Sequence, residues 1–213
     1  MQQVVFQSLG GLGMFLFGMK IMSEGLQKVA GKKMRQILGV VSNNRFVGCG
    51  VGALVTSIIQ SSSATTVMLV SFVDAGLMTF VQAIGVILGA NVGTTVTAQL
   101  IAFKITKYAL PAIAAGVLLK FFFGSGKRVY FGDVLLGFGL VFYGLATMKA
   151  GFSPLKESET FIALFTRFNA DSYAGIMMCV LAGSVLTMIL QSSSATVGIT
   201  MVLAIEGLLT FEA

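Results

Sequence analysis

The apolar positions of this chain fall into long runs, and the runs are of two kinds. Val4–Met22, Tyr108–Phe123 and Tyr130–Met148 are single runs near the roughly 17–25 residues a helix needs to cross a bilayer, and they predict spanning helices. Tyr108–Phe123 is the shortest of them. The second kind is interrupted. Phe46–Ile59 and Ala64–Val73 flank Gln60-Ser61-Ser62-Ser63, and Tyr173–Leu190 and Ala195–Leu209 flank Gln191-Ser192-Ser193-Ser194. At about 1.5 Å per residue the first arm reaches only about 20 Å, against a hydrocarbon core of about 30 Å. Two short arms around a polar tip predict a re-entrant helical hairpin in each case. The alternative is one long helix with serines in its middle, bonded to their own backbone. A third interruption, Gly89-Ala90-Asn91-Val92-Gly93-Thr94-Thr95, lies between Gln82–Leu88 and Val96–Phe103. It predicts a broken helix over about 79–103, with Thr94 or Thr95 capping the second half.

The pattern is written twice. Gly11-Leu12-Gly13-Met14-Phe15-Leu16-Phe17-Gly18 aligns with Gly137-Phe138-Gly139-Leu140-Val141-Phe142-Tyr143-Gly144, followed by Met22 with Met148 and Gly25 with Gly151. Thr56 to Thr65 then aligns with Thr187 to Thr196 through both Gln-Ser-Ser-Ser tracts, and Gly76-Leu77-Met78-Thr79-Phe80 aligns with Gly207-Leu208-Leu209-Thr210-Phe211. Matched blocks in one order mark an internal repeat. Residues 1–126 form the first copy: a membrane helix, a hairpin over about 46–73, the broken helix and a further helix. Residues 127–213 form the second copy, with a helix over about 130–148 and a hairpin over about 173–209. The second copy stops at Ala213, so it reads as truncated.

Composition sets the solvent. Of 213 residues, 56% are hydrophobic and 10% charged, where a soluble domain is about a quarter charged. The mean hydropathy is +0.93. The 26 glycines suit closely packed membrane helices. No histidine is present, which removes the commonest general base and metal ligand. Cys49 and Cys179 lie in apolar stretches and read as packing residues. No cleavable leader is evident before Val4, so the first run reads as a retained helix.

Charge gives the orientation. The net charge of +6 comes from residues between apolar runs, which points to the membrane surface rather than to nucleic acid. Lys28, Lys32, Lys33, Arg35 and Arg45, opposed by Glu24, place the loop after the first helix in the cytoplasm. Lys120, Lys127 and Arg128 fall inside by the same path, and Lys149, Lys156 and Arg167 balance Glu157, Glu159 and Asp171 outside. Lys104 and Lys107 fall outside and count against the path. The first hairpin then enters from inside and the second from outside. The fold class expected is an all-α polytopic membrane protein of two inverted repeats, each with a re-entrant hairpin tipped by Gln-Ser-Ser-Ser, the architecture of many secondary transporters. Asp74, Glu206 and Glu212 sit near segment ends, where interfacial solvation is expected, and Lys20 is expected to snorkel from its helix end.

A polar group left unpaired in hydrocarbon costs several kcal/mol, so broken helices at membrane depth are buried in protein or line a wet cavity. Tips of opposed hairpins would meet near the midplane. Ser61, Ser62, Ser63, Ser192, Ser193 and Ser194 would present hydroxyls and helix N-terminal N–H groups, which favour anions such as phosphate. The opposite half-helix ends expose carbonyls suited to a hard cation such as Na⁺. Gln60 and Gln191, which both donate and accept, would bridge the two ligands. A single Ser-Ser-Ser tract would read as packing; its second copy is what favours a site.

These residues, Gln60-Ser61-Ser62-Ser63-Ala64-Thr65 and Gln191-Ser192-Ser193-Ser194-Ala195-Thr196 with Gly89-Ala90-Asn91-Val92-Gly93-Thr94-Thr95, closely resemble the type II sodium–phosphate cotransporter family. The resemblance implies sodium-driven uptake of inorganic phosphate in the plasma membrane, the inner membrane of a bacterium. It implies a phosphate site of Gln60, Ser61, Ser62, Ser63, Gln191, Ser192, Ser193 and Ser194. It implies sodium sites around them, for which Thr65, Asn91, Thr94, Thr95 and Thr196 are candidates. Phosphate, sodium and the lipid bilayer are the partners, with a homodimer as one way to complete the pathway. No cofactor is expected beyond Na⁺ as coupling ion. The family pattern continues into a second Asn-x-Gly-Thr element, which nothing here matches. The alternative reading is a non-transporting phosphate-binding or assembly module. An enzyme is a distant third, because the tips have no neighbouring base.

Overall fold

Each Gln-Ser-Ser-Ser tract ends one helix and starts another, whereas the Gly89–Thr95 stretch does neither. The computed structural model describes residues 2–39, 44–103, 105–123, 126–154, 168 and 172–210. They form α1 (Gln2–Gly39), α2 (Arg45–Ile59), α3 (Ser62–Asp74), α4 (Phe80–Ala102), a 3₁₀ turn (Thr106–Tyr108), α5 (Ala109–Phe122), α6 (Lys127–Phe152), α7 (Tyr173–Leu190) and α8 (Ser193–Ile205). Among the described residues there is no strand. Among the described residues four helices, α1, α4, α6 and α7, are long and apolar enough to cross a membrane. Expectations for Lys104, Lys156, Glu157, Glu159, Arg167, Asp171, Phe211 and Glu212 fall outside the described residues.

Three elements differ from the sequence reading. Helix α1 does not stop near Met22 but runs to Gly39, over 38 residues. The basic residues expected in a loop are therefore helical. Lys and Arg are good helix formers, and between them Met34 and Leu38 recur four apart and are buried. Lys20, expected at a helix end, lies mid-helix and exposed. Helix α7, with 18 residues, is about 27 Å long, so it exceeds a short arm and is a spanning candidate in its own right.

The third difference is α4, which is unbroken through Gly89–Thr95. Its glycines are contact residues rather than breaks. Gly85, Gly89 and Gly93, four apart, face Arg45, Cys49 and Ala53, also four apart, on α2. A Cβ at Gly89 would strike the Cys49 carbonyl, and one at Gly93 the Ala53 carbonyl. Gly52 answers from α2, pressed on the Val86 backbone. Small residues on both faces let the two backbones touch, the usual basis of membrane helix association. The helix starts at a capping box in which Thr79 accepts from the Gln82 N–H and the Gln82 carboxamide oxygen accepts from the Thr79 N–H.

The chain divides into two compact units. One holds Lys20–Phe103 and Pro111–Gly137. Its core gathers Met34, Leu38, Val55, Ile59, Leu69, Met78, Ala83 and Val86. In it α5 crosses α6 backbone to backbone, with Gly116 against Gly132 and Leu136. Beside that crossing Lys120 Nζ meets Asp133 Oδ1 at 2.7 Å. Lys28 Nζ lies 5.4 Å from the Tyr130 ring centroid.

The other unit holds Met1–Met19, Lys104–Leu110 and Phe138–Ala213. Within it α1 and α6 run antiparallel, since Ser8 touches Gly151, Gly11 touches Met148 and Phe15 touches Gly144. The Phe15 ring, fully buried, also lies against Gly198 of α8.

Candidate functional site

The first tip is a left-handed residue followed by a capped helix start. Gln60 closes α2 at φ 59°, and Ser61, extended at φ −149°, opens α3. Left-handed backbone disfavours a residue with a Cβ, by about 1 kcal/mol or more, and glycine normally fills such a position. The Ser61 hydroxyl oxygen accepts from the Ala64 N–H at 3.2 Å, which makes it the N-cap. The chain reverses here, because Thr56 and Thr65 from opposite sides of the break share a hydrogen bond of 3.0 Å. Thr65 in turn donates to the Ser61 carbonyl at 3.1 Å.

The second tip repeats this bond for bond. Gln191 is left-handed at φ 52°, Ser192 is extended at φ −152°, and its hydroxyl caps the Ala195 N–H at 3.2 Å. Thr187 donates to Thr196 at 2.9 Å, and Thr196 to the Ser192 carbonyl at 3.2 Å. Each glutamine folds its carboxamide nitrogen back on the helix it ends: Gln60 Nε2 donates to the Ser57 carbonyl at 2.5 Å and Gln191 Nε2 to the Met188 carbonyl at 2.6 Å. Gln60 and Gln191 are the two non-glycine residues with positive φ among the described residues. Strain of this kind clusters at functional positions.

The roles divide within each tract. Ser61 and Ser192 are caps. Ser62 and Ser193 are the first residues of α3 and α8, where N–H groups have no partner within the helix. Ser63 and Ser193 are exposed, Ser62 and Ser194 half-buried. Such helix starts favour an anion. Thr66 donates to the Ser62 carbonyl at 2.9 Å.

Around the first tip its own unit supplies further polar groups. Thr97 of α4 donates to Gln60 Oε1 at 2.7 Å. Ser57 donates to the Ala53 carbonyl at 2.7 Å and lies 3.4 Å from the Gly93 carbonyl. Ser23 of α1 donates to the Ile59 carbonyl at 3.2 Å and accepts from Gln27 Nε2 at 3.0 Å. Sequence reasoning missed Thr97, Ser57 and Ser23. Thr97 carried a signal, because it continues the four-residue spacing of Gly85, Gly89 and Gly93.

The sodium candidates take two kinds of position. Thr65 and Thr196 are buried inside their tips. Asn91 and Thr95 are exposed, each two residues from a glycine that faces α2, so they lie on the far side of α4. Thr94 and Thr95, expected to cap a half-helix, bond carbonyls of their own helix instead, Ala90 at 3.2 Å and Val92 at 2.7 Å. Among the described residues no group of three or more carboxylate, Cys or His side chains could hold a metal.

One carboxylate departs from expectation. Glu206, expected to be solvated at a segment end, is buried with a side chain only 2% exposed, and it pairs with Lys149 Nζ at 3.3 Å. The cause is its place in the Glu206-Gly207 turn that ends α8, inside the same unit as α6. Cys49 and Cys179 are free and half-buried.

Four long apolar helices among the described residues mark a multi-pass membrane protein. The family model described as Na+/Pi-cotransporter matches residues 14–150. The chain belongs to the Na⁺/Pi-cotransporter family. It is 31% identical over 195 residues to the uncharacterized protein YqeW of Bacillus subtilis, covering 92% of this chain and 62% of that one. It is 28% identical over 205 residues to the putative inorganic phosphate export protein YjbB of Escherichia coli K12, covering 95% of this chain and 37% of that one. Over 96 residues it is 38% identical to the human sodium-dependent phosphate transport protein 2B, covering 44% of this chain and 14% of that one. The chain thus spans less than two thirds of these relatives' lengths. No solved structure matches it.

Proposed function

We propose that this chain is the membrane core of a secondary active transporter that couples sodium to the uptake of inorganic phosphate across the bacterial inner membrane. The observation that carries the reading is the pair of congruent tips, each a strained left-handed glutamine and a serine-capped helix start, in a chain of this family. Phosphate is held by Ser62, Ser63, Ser193 and Ser194 through hydroxyls and N-terminal N–H groups, with Gln60 and Gln191 beside them. Ser61 and Ser192 shape the two helix starts. Sodium takes oxygen ligands near the tips, for which Thr65 and Thr196 are candidates, with Asn91, Thr94 and Thr95 farther along α4. The tips enter the membrane as re-entrant hairpins from opposite sides and alternate in access. Supporting this, α1 and α6, which the repeat aligns, run antiparallel. An inverted repeat requires that of equivalent helices.

Sodium-gradient-driven uptake of radiolabelled phosphate into proteoliposomes tests the reading, with Ser62→Ala and Ser193→Ala as variants. Loss in both variants supports it. Equal uptake by wild type and both variants excludes the tips as the site. A second reading, phosphate export, is favoured by the name of YjbB, to which 95% of this chain aligns. Efflux from phosphate-loaded vesicles that exceeds uptake under the same gradient selects it.

A further inference from the structure

We infer that Thr97 is a positioning residue for the first tip, acting through Gln60; this rests on the proposed role of the tips in phosphate binding. Thr97 is 4% exposed, on the face of α4 that packs against α2. A helical threonine commonly gives its hydroxyl to the carbonyl four residues back. Thr66, Thr94, Thr147 and Thr200 all do so here. Thr97 donates instead across the interface to Gln60 Oε1 at 2.7 Å.

That bond, with one other, fixes which way the carboxamide points. Gln60 Nε2 is bound to the Ser57 carbonyl at 2.5 Å. Turning the amide over would set two carbonyl oxygens against each other there, so the donor end is fixed on Ser57 and the acceptor end on Thr97. Nε2 has a second N–H, and Oε1 a second lone pair, both now held in one direction at the tip. The left-handed backbone of Gln60, at φ 59°, sets where the side chain begins, and Thr97 sets where it ends. The contact is possible because Gly85, Gly89 and Gly93 bring α4 backbone to backbone against α2 and leave Thr97 one turn farther along the same stripe.

The test measures phosphate KM and Vmax in sodium-driven proteoliposome flux, and sodium-dependent binding of radiolabelled phosphate to the purified full chain. The variants are Thr97→Val, Thr97→Ser and Thr97→Ala, each also made in a Gln60→Gly background. Loss of one hydrogen bond predicts that Thr97→Val and Thr97→Ala raise KM and Kd about three- to tenfold with little change in Vmax. Thr97→Ser, which keeps the hydroxyl, restores values near wild type. In the Gln60→Gly background the three variants have no further effect, because the group they position is gone. If Thr97→Val fails to fold, the contrast between serine and alanine carries the same comparison. A wild-type KM in both Thr97→Val and Thr97→Ala, beside an impaired Gln60→Gly, overturns the inference alone. So does a full additional loss on top of Gln60→Gly. A wild-type KM in Gln60→Gly itself overturns the underlying assignment of the tip.

Discussion

Thr56 and Thr65, nine residues apart, meet hydroxyl to hydroxyl at 3.0 Å across a helix break. In one continuous helix they would be separated by about 13 Å along the axis, so the bond records the reversal of the chain. It is the first link of a relay. Thr65 donates its own hydrogen bond to the Ser61 carbonyl, the last carbonyl before α3. Thr187, Thr196 and Ser192 form the same relay in the other copy. Thr65→Val leaves the buried Thr56 hydroxyl facing a methyl and should cost about 1–3 kcal/mol. Thr56→Val leaves Thr65 still bonded to Ser61 and should cost about 1 kcal/mol. Thermal unfolding in detergent checks the order, and equal effects from the two variants would contradict the relay.

If the serine tract holds phosphate as proposed, its variants should separate stability from transport. Ser61→Ala removes an N-cap and should lower stability by about 1 kcal/mol, within a range of about 0.5–2. Ser62→Ala leaves that cap in place, so its melting temperature should stay near wild type while sodium-driven phosphate flux falls. Ser192→Ala and Ser193→Ala should divide the same way. The paired comparison needs only thermal unfolding and flux on four purified variants. Flux lost in step with stability across all four would reduce the tract to a structural element.

The two helix breaks were legible because polar residues in an apolar run have few physical readings, and the second copy removed most of those. The helix breaks fall at Gln60 and Gln191, where the tracts begin. The αL conformation was not legible, since no glycine marks it. The Gly89–Thr95 stretch misled for a physical reason. Glycine and asparagine read as breakers in a chain considered alone, but a neighbouring backbone turns the same glycines into a contact surface, and only the partner helix reveals that. The long α1 was hidden by its change of surroundings. Its first half is mostly apolar from Val4 to Met19, and its second half is a charged helix whose buried face reduces to residues such as Met34 and Leu38. Glu206 was misplaced because a run boundary says where hydropathy falls, not whether a carboxylate there finds Lys149.

Glycines at equivalent positions of the repeat should respond in opposite ways. Gly52 of α2 is pressed against the Val86 backbone, while Gly183, its counterpart in α7, has nothing within 4 Å of an added Cβ. Gly52→Ala must push two helices apart and should cost about 1–3 kcal/mol or more. Gly89→Ala should do the same from the other side of the interface. Gly183→Ala should be neutral or slightly stabilising, because alanine is the better helix former by up to about 1 kcal/mol. Melting temperatures of the three variants decide this. A Gly183→Ala variant as damaged as Gly52→Ala would mean that α7 has a close neighbour of its own.

The Lys149–Glu206 pair is asymmetric, with the lysine side chain 58% exposed and the glutamate 2%. Almost all the desolvation therefore falls on the carboxylate, and the ammonium meets it from the exposed side. Removing the lysine should be worse than removing both charges, because it takes the Lys149 ammonium away from a buried carboxylate. Lys149→Met should destabilise by about 1–3 kcal/mol, less than a fully buried pair would lose, since solvent screens the exposed partner. Adding Glu206→Gln to Lys149→Met should recover much of that loss, as the neutral amide needs no counter-ion. Glu206→Gln alone should be milder than Lys149→Met. The double-mutant cycle, read by thermal unfolding at neutral pH and repeated at high salt, isolates the coupling. A double variant no more stable than Lys149→Met would show that Lys149 acts through packing of its aliphatic stem rather than through its charge.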